Sequence, residues 1–144
     1  MLLHMLNERH AKARNNHFQS RRRLDSYRKA FEQTLGALAR AQKQQEDTAY
    51  EDEQVKSKIA ALQEHCHGLI STPQGVLDEM TALHAEQRAT AGKRETAGAH
   101  VQPCRQAVHK AETAMRTEEA TLARLQKDFH NVLEEIHSVR VQSS

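Results

Sequence analysis

Two long stretches of this chain keep one spacing without a skipped residue, and a single short segment lies between them. In the first, steps of three and four run Leu3, Leu6, His10, Ala13, His17, Ser20, Leu24, Tyr27, Phe31, Thr34, Leu38, Ala41, Gln45, Thr48, Asp52, Val55, Ile59, Leu62, Cys66, Leu69. In the second they run Val76, Met80, Leu83, Gln87, Thr90, Arg94, Ala97, Val101, Cys104, Val108, Ala111, Met115, Glu118, Leu122, Leu125, Phe129, Val132, Ile136, Val139. A period of 3.5 places all of these on one stripe of a helix and predicts a left-handed supercoil. The separating segment, Gly68-Leu69-Ile70-Ser71-Thr72-Pro73-Gln74-Gly75, gathers the signals that end and restart helices. Gly68 suits a left-handed closing residue, with Leu69 folding back on the last turn. Thr72 suits a cap and Pro73 the first helical position.

Folding the two stripes about this hinge sets Leu62 against Leu83, Leu38 against Val108, Phe31 against Met115, Leu24 against Leu122 and Leu6 against Val139. The same register puts Asp52 opposite Arg94, as a partly wet ion pair. It also puts Tyr27 opposite Glu118, where the phenol can donate to the carboxylate. The predicted fold is therefore all-α, a long antiparallel two-helix coiled-coil hairpin forming one domain over residues 1–144. Arm one covers about 2–67, the hinge 68–75 and arm two about 76–140, each arm roughly 100 Å long. Strong packing is expected from Val55 to Met80 and between Leu24–Leu38 and Val108–Phe129. The polar or small positions Gln45, Thr48, Asp52, Gln87, Thr90, Arg94 and Ala97 predict a bent or flexible waist. Pro103 should kink or break arm two nearby, and Val141-Gln142-Ser143-Ser144 should fray.

Composition agrees with this architecture. Only 3% of residues are aromatic, Trp is absent, and much of the 38% hydrophobic content is Ala. That is the profile of a long helix and not of a compact globule. The apolar start Met1-Leu2-Leu3-His4-Met5-Leu6 lacks the basic leader of a secretory signal. No run approaches the roughly 20 apolar residues of a membrane span. Cys66 and Cys104 form no CxxC pattern and lie far apart in the predicted register, so they are expected as small, reduced core residues.

The chain offers no catalytic constellation, no cofactor site and no metal site. His84-Ala85-Glu86 followed by Pro103-Cys104 is similar to a zinc deaminase signature, but Ala107 stands where the second Cys is needed. Gly92-Lys93 resembles the end of a phosphate loop, but Gln87 replaces the first Gly and Arg94 the Ser/Thr. His65, Cys66 and His67 cluster at the hinge, but neighbouring residues on a helix point apart and cannot readily share an ion. His10 and His17 sit on the seam, where protonation is expected to loosen the open end.

Charge is uneven. Residues 1–45 carry ten Lys or Arg against Glu8, Asp25 and Glu32, most densely at Arg21-Arg22-Arg23, and the remainder is net acidic. A basic stretch of this kind is either a solvated face or a contact for an acidic partner. Nucleic acid is disfavoured because no aromatic residue interleaves with the arginines to stack bases.

The segment Ala49-Tyr50-Glu51-Asp52-Glu53-Gln54-Val55, with Ile59-Ala60-Ala61-Leu62 and Val76-Leu77-Asp78-Glu79-Met80 flanking the hinge, resembles the central stalk family of type III secretion and flagellar export (the FliJ/YscO type). The length, the basic N-terminal region and the hinge near residue 70 are similar to that family too. The resemblance implies a non-enzymatic stalk in the bacterial cytoplasm, peripheral to the inner-membrane export apparatus. Its termini would insert into a hexameric export ATPase, its hinge would reach an export-gate protein, and it would in some cases bind secretion chaperones. It implies ATPase contacts at Arg9, Lys12, Arg14, Arg21, Arg22 and Arg23, and gate contacts at Leu69, Ile70, Val76, Leu77 and Met80. The alternatives are a self-associating coiled-coil scaffold, two hairpins forming a four-helix bundle, and a holdase-like chaperone using the apolar hinge.

Overall fold

The computed structural model describes residues 1–143. Two helices account for nearly all of it: α1, Leu2–Cys66, and α2, Gln74–Ser143. They pair antiparallel, as the folded stripes predict, in a two-helix hairpin. Between them Gly68 adopts φ 87°, the one positive φ among the described residues. Because glycine has no Cβ, it can turn the chain there without strain. The end of α1 tightens through two i→i−3 bonds, from the amides of His67 to Glu64 and Leu69 to Cys66, each 3.2 Å. Helix α2 opens at Gln74, two residues before the bound expected for arm two and one after Pro73, the expected first helical position. The Pro73 carbonyl accepts from the amides of Val76 and Leu77, so Pro73 precedes the helix and Gln74 opens it.

Every fully buried residue lies on the two predicted stripes. The apolar ones are Leu6, Leu24, Ala41, Val55, Ile59, Ala97, Val101, Val132 and Ile136, and the polar ones are Ser20, Thr48, Asp52, Thr90 and Glu118. The stripe thins only at its ends and at Gln45. Leu3, Leu69 and Gln45 are exposed.

The hairpin divides into two compact units, Met1–Thr34 with Val108–Ser144, and Leu35–Ala107. In the first unit Leu6, Val132 and Ile136 form a cluster with Val139 packed against it. Each large apolar side chain buried there stabilises the fold by about 1.5–3 kcal/mol. His10 and His17 both stack on Phe129, with ring centroids 5.1 and 6.0 Å away. Leu24 is buried, but Tyr27, Phe31, Met115 and Leu122 are only half-buried. The tightest apolar packing in this unit is therefore nearer the termini than expected.

In the second unit the polar stretch of the seam is closely packed, where sparse packing was the ground for expecting a bent or flexible waist. Thr48, Asp52, Thr90, Ala97 and Val101 are among the best-buried residues of the chain. Two helices have no third layer to cover a large side chain, whereas a small one disappears completely between them. Polar positions are tolerated because each is satisfied. The Thr48 hydroxyl lies 2.8 Å from the Gln44 carbonyl and 3.1 Å from that of Gln45. Gln45 reaches over Gly98, where an added Cβ would stand 3.7 Å from its amide nitrogen.

Helix α2 continues through Pro103 without a break. Pro103 and Ala99, whose carbonyl loses its partner, are both exposed, so water can take over the lost bond. The helix also runs through Val141 and Gln142 to Ser143, where fraying was expected. Ser144 lies outside the described residues.

Candidate interaction surfaces

The buried carboxylate Asp52 is the strongest electrostatic feature of the second unit. It is 2% exposed. The Arg94 guanidinium donates to its Oδ2 at 3.0 Å, and Lys56 Nζ lies 3.2 Å from the same oxygen. The Thr90 hydroxyl lies 3.0 Å from Oδ1 and the Gln87 amide 3.4 Å from it. Arg94 is shared with Glu53 at 3.1 Å. Burial alone would raise the Asp52 pKa. The hydrogen bonds from Arg94, Lys56 and Thr90 outweigh it and lower the value from 3.8 to about 2. The hydrogen bonds to Asp52 and then Glu53 raise Arg94 in turn. The predicted Asp52–Arg94 pair is thus present, inside a larger network. The network is an anchor, and it holds the two helices in register.

In the first unit the predicted Tyr27–Glu118 contact is replaced. Glu118 accepts from the Ser20 hydroxyl at 2.7 Å and from Arg23 Nε at 3.1 Å. Ser20 is fully buried, two seam positions before Tyr27. The short hydroxyl can stand between the helices beside the carboxylate, whereas the longer phenol remains half-buried.

This contact divides the six basic candidates. Arg23 is tied to Glu118, and Arg9 to Glu135 at 3.0 Å, so both brace α1 against α2. Arg22 lies over the ring of Phe18, 5.8 Å from its centroid. Lys12, Arg14 and Arg21 are exposed and make no ion pair among the described residues. Phe18 itself is 57% exposed. This corrects the expectation that no aromatic residue interleaves with the arginines. The signal was in the spacing, since Phe18 falls between the seam positions His17 and Ser20 and so must face outward.

At the hinge, the five predicted partner-contact residues divide as well. Leu69, Ile70 and Leu77 are exposed, Ile70 completely, while Val76 and Met80 are half-buried. Val76, Leu77 and Met80 share a groove of about 240 Å³ with Gln63, Cys66, His67 and Thr72. Leu69 and Ile70 do not line it. Cys66 and Cys104 are free and half-buried.

Among the described residues no group of three or more His, Cys, Asp or Glu is placed to hold a metal ion. No helix there is long and apolar enough to cross a membrane. Compared with protein-family models, with curated proteins and with solved structures, the chain matches none.

Proposed function

We propose that this protein is a central stalk of a type III secretion or flagellar export apparatus, coupling a hexameric export ATPase to an export-gate protein. The observation that carries the reading is the pairing of two long, continuous helices with the basic stretch of α1 in the unit that holds both termini. A stalk needs an unbroken element that resists bending and a charged end that seats in a ring of opposite charge. Lys12, Arg14, Arg21 and Arg22 supply that charge on the outside of α1, while Arg9 and Arg23 keep the two helices together beneath it. The apolar side chains at the hinge suit a contact with the gate or with a secretion chaperone. The place of work would be the bacterial cytoplasm, against the inner-membrane export apparatus. No chemistry is assigned to the chain itself.

The test is association with the export ATPase of the same host. The wild-type protein should co-purify with the hexamer and raise its turnover. A variant carrying Arg14→Glu, Arg21→Glu and Arg22→Glu should lose both effects while keeping its helical circular dichroism. Arg23 is left intact, because its reversal would break the Glu118 contact and confuse binding with folding. Absence of association by the wild-type protein would overturn the reading.

The exposed hinge gives a second reading some support. Complete exposure of Ile70, with Leu69 and Leu77 beside it, also suits a holdase that grips unfolded chains. Suppression of aggregation of a denatured client, lost on Ile70→Ser and Leu77→Ser, would favour it.

A further inference from the structure

The arginine-framed ring on the outer face of α1 has no structural work to do. Phe18 is off the seam, 57% exposed and outside the cluster of Leu6, Val132 and Ile136. Leaving an aromatic ring in water forgoes the stabilisation its burial would bring. Such a residue, if exposed among arginines, has the composition of an interface hot spot. The C-terminal side of the ring is covered by Arg22. Side chains on a helix lean toward its N-terminus, and on that side Phe18 borders a recess of about 300 Å³ with Ala11, Arg14 and Asn15. The recess exists because Ala11, one heptad before Phe18, is small.

We propose that this surface docks a short acidic peptide segment bearing one large apolar residue. The apolar side chain fills the recess over Ala11 and packs on Phe18. Flanking carboxylates meet Arg14, Arg21 and Arg22. Opposite charge speeds the encounter and sets orientation, and the buried side chain supplies the affinity. The outer strip also limits what can bind. Asp25 and Glu32 follow Phe18 at steps of seven and are exposed on the same face. A long phosphate backbone following the helix would meet both, whereas a segment ending within two turns avoids them. A single ring, already covered by Arg22 on one side, is also a poor platform for successive bases. An acidic peptide is therefore favoured over single-stranded nucleic acid. The inference rests on the stalk reading only for where such a segment would come from, an acidic loop of the ring, and its surface chemistry stands apart from that reading.

Three labelled probes test it with the full-length protein by fluorescence anisotropy: an acidic peptide with one central leucine, the same peptide with serine in that place, and an oligothymidine. The leucine peptide should bind, the serine peptide roughly tenfold more weakly, and Phe18→Ala should abolish that difference. Arg14→Glu with Arg22→Glu should remove binding of both peptides, and added salt should weaken it. Phe18 and these arginines are exposed, so unchanged circular dichroism will establish that the variants fold. No binding of the leucine peptide, equal binding of both peptides, or a Phe18→Ala variant that still tells them apart would overturn the proposal. Tighter, Phe18-dependent binding of the oligothymidine would replace it with a nucleic-acid surface. Phe18-dependent peptide binding without ATPase association would sink the stalk reading alone. ATPase association that survives Phe18→Ala, with no peptide binding, would sink this inference alone.

Discussion

The two units of the hairpin solve one problem in different ways. Near the termini the seam is held by large apolar side chains, Leu6, Leu24, Val132 and Ile136, with Ser20 and Arg23 on Glu118 and Arg9 on Glu135 as polar braces. In the other unit the centre of the seam is a buried carboxylate with four neighbouring donors, bracketed by Ala41, Thr48, Ala97 and Val101. The lesson is that a polar seam need not be a loose one. What decides is whether each buried donor and acceptor is satisfied, and among the described residues no buried side-chain polar atom lacks a partner. The polar unit gains a defined register, because Asp52 has its full set of donors in only one alignment. The other unit relies on the shape of its apolar side chains, with Glu118 held between the helices by Ser20 and Arg23.

Substitutions can break this contrast in order of size. Leu24→Ala should have the largest effect, lowering stability by about 2–5 kcal/mol through lost transfer energy and the cavity left behind. Chemical denaturation followed by helical circular dichroism will measure it, and the loss should be the same at pH 7 and pH 4. Asp52→Ala should follow. Its cost is limited because Arg94 and Lys56 are partly exposed and can recover hydration once the carboxylate is gone. The effect should be local, with faster amide exchange around residues 48–56 and 87–94 and little change near Leu6. Ser20→Ala should cost about 1–3 kcal/mol, since it removes a hydrogen bond to a charged acceptor that is itself buried. Phe129→Leu should cost least, about 1 kcal/mol, because it keeps an apolar side chain and loses only the stack with His10 and His17.

Acid sharpens the same comparison. Asp52 is held below its ordinary value, so its ionised form stabilises the folded state. That contribution is complete above pH 3.8, shrinks below it and is gone once the pH has fallen through about 2. Acid titration followed by amide exchange should open the second unit across that window. Asp52→Asn should remove this part of the pH dependence.

The seam was legible almost residue by residue. Every buried position, including the polar exceptions Asp52 and Glu118, falls on the steps of three and four, because that spacing alone decides which side of a helix faces its partner. The hinge was legible for a similar reason, since Gly68 tolerates a backbone that other residues avoid. Spacing does not carry the lean of a side chain along the axis, so it pairs Glu118 with Tyr27 instead of with Ser20 and Arg23. Nor does it report that small residues bury more completely than large ones between only two helices, so the polar stretch looks weaker in the sequence than its burial shows. Pro103 does not break α2, and spacing alone does not show that its exposure lets water replace the lost bond, because that depends on its place around the helix. For the candidate surfaces, the sequence located the basic stretch and the apolar hinge. It could not separate the braced Arg9 and Arg23 from the free Lys12, Arg14 and Arg21, a distinction set by which carboxylates α2 brings within reach.

Helices α1 and α2 must face each other antiparallel in this register for the seam and both surfaces to exist. In a background of Cys66→Ser and Cys104→Ser, the pair His17→Cys and Phe129→Cys should form a disulfide within one chain under mild oxidation at high dilution. Mass spectrometry of the digest should find those two positions joined in a monomer. Failure to join them, or joining only between two chains, would contradict the hairpin.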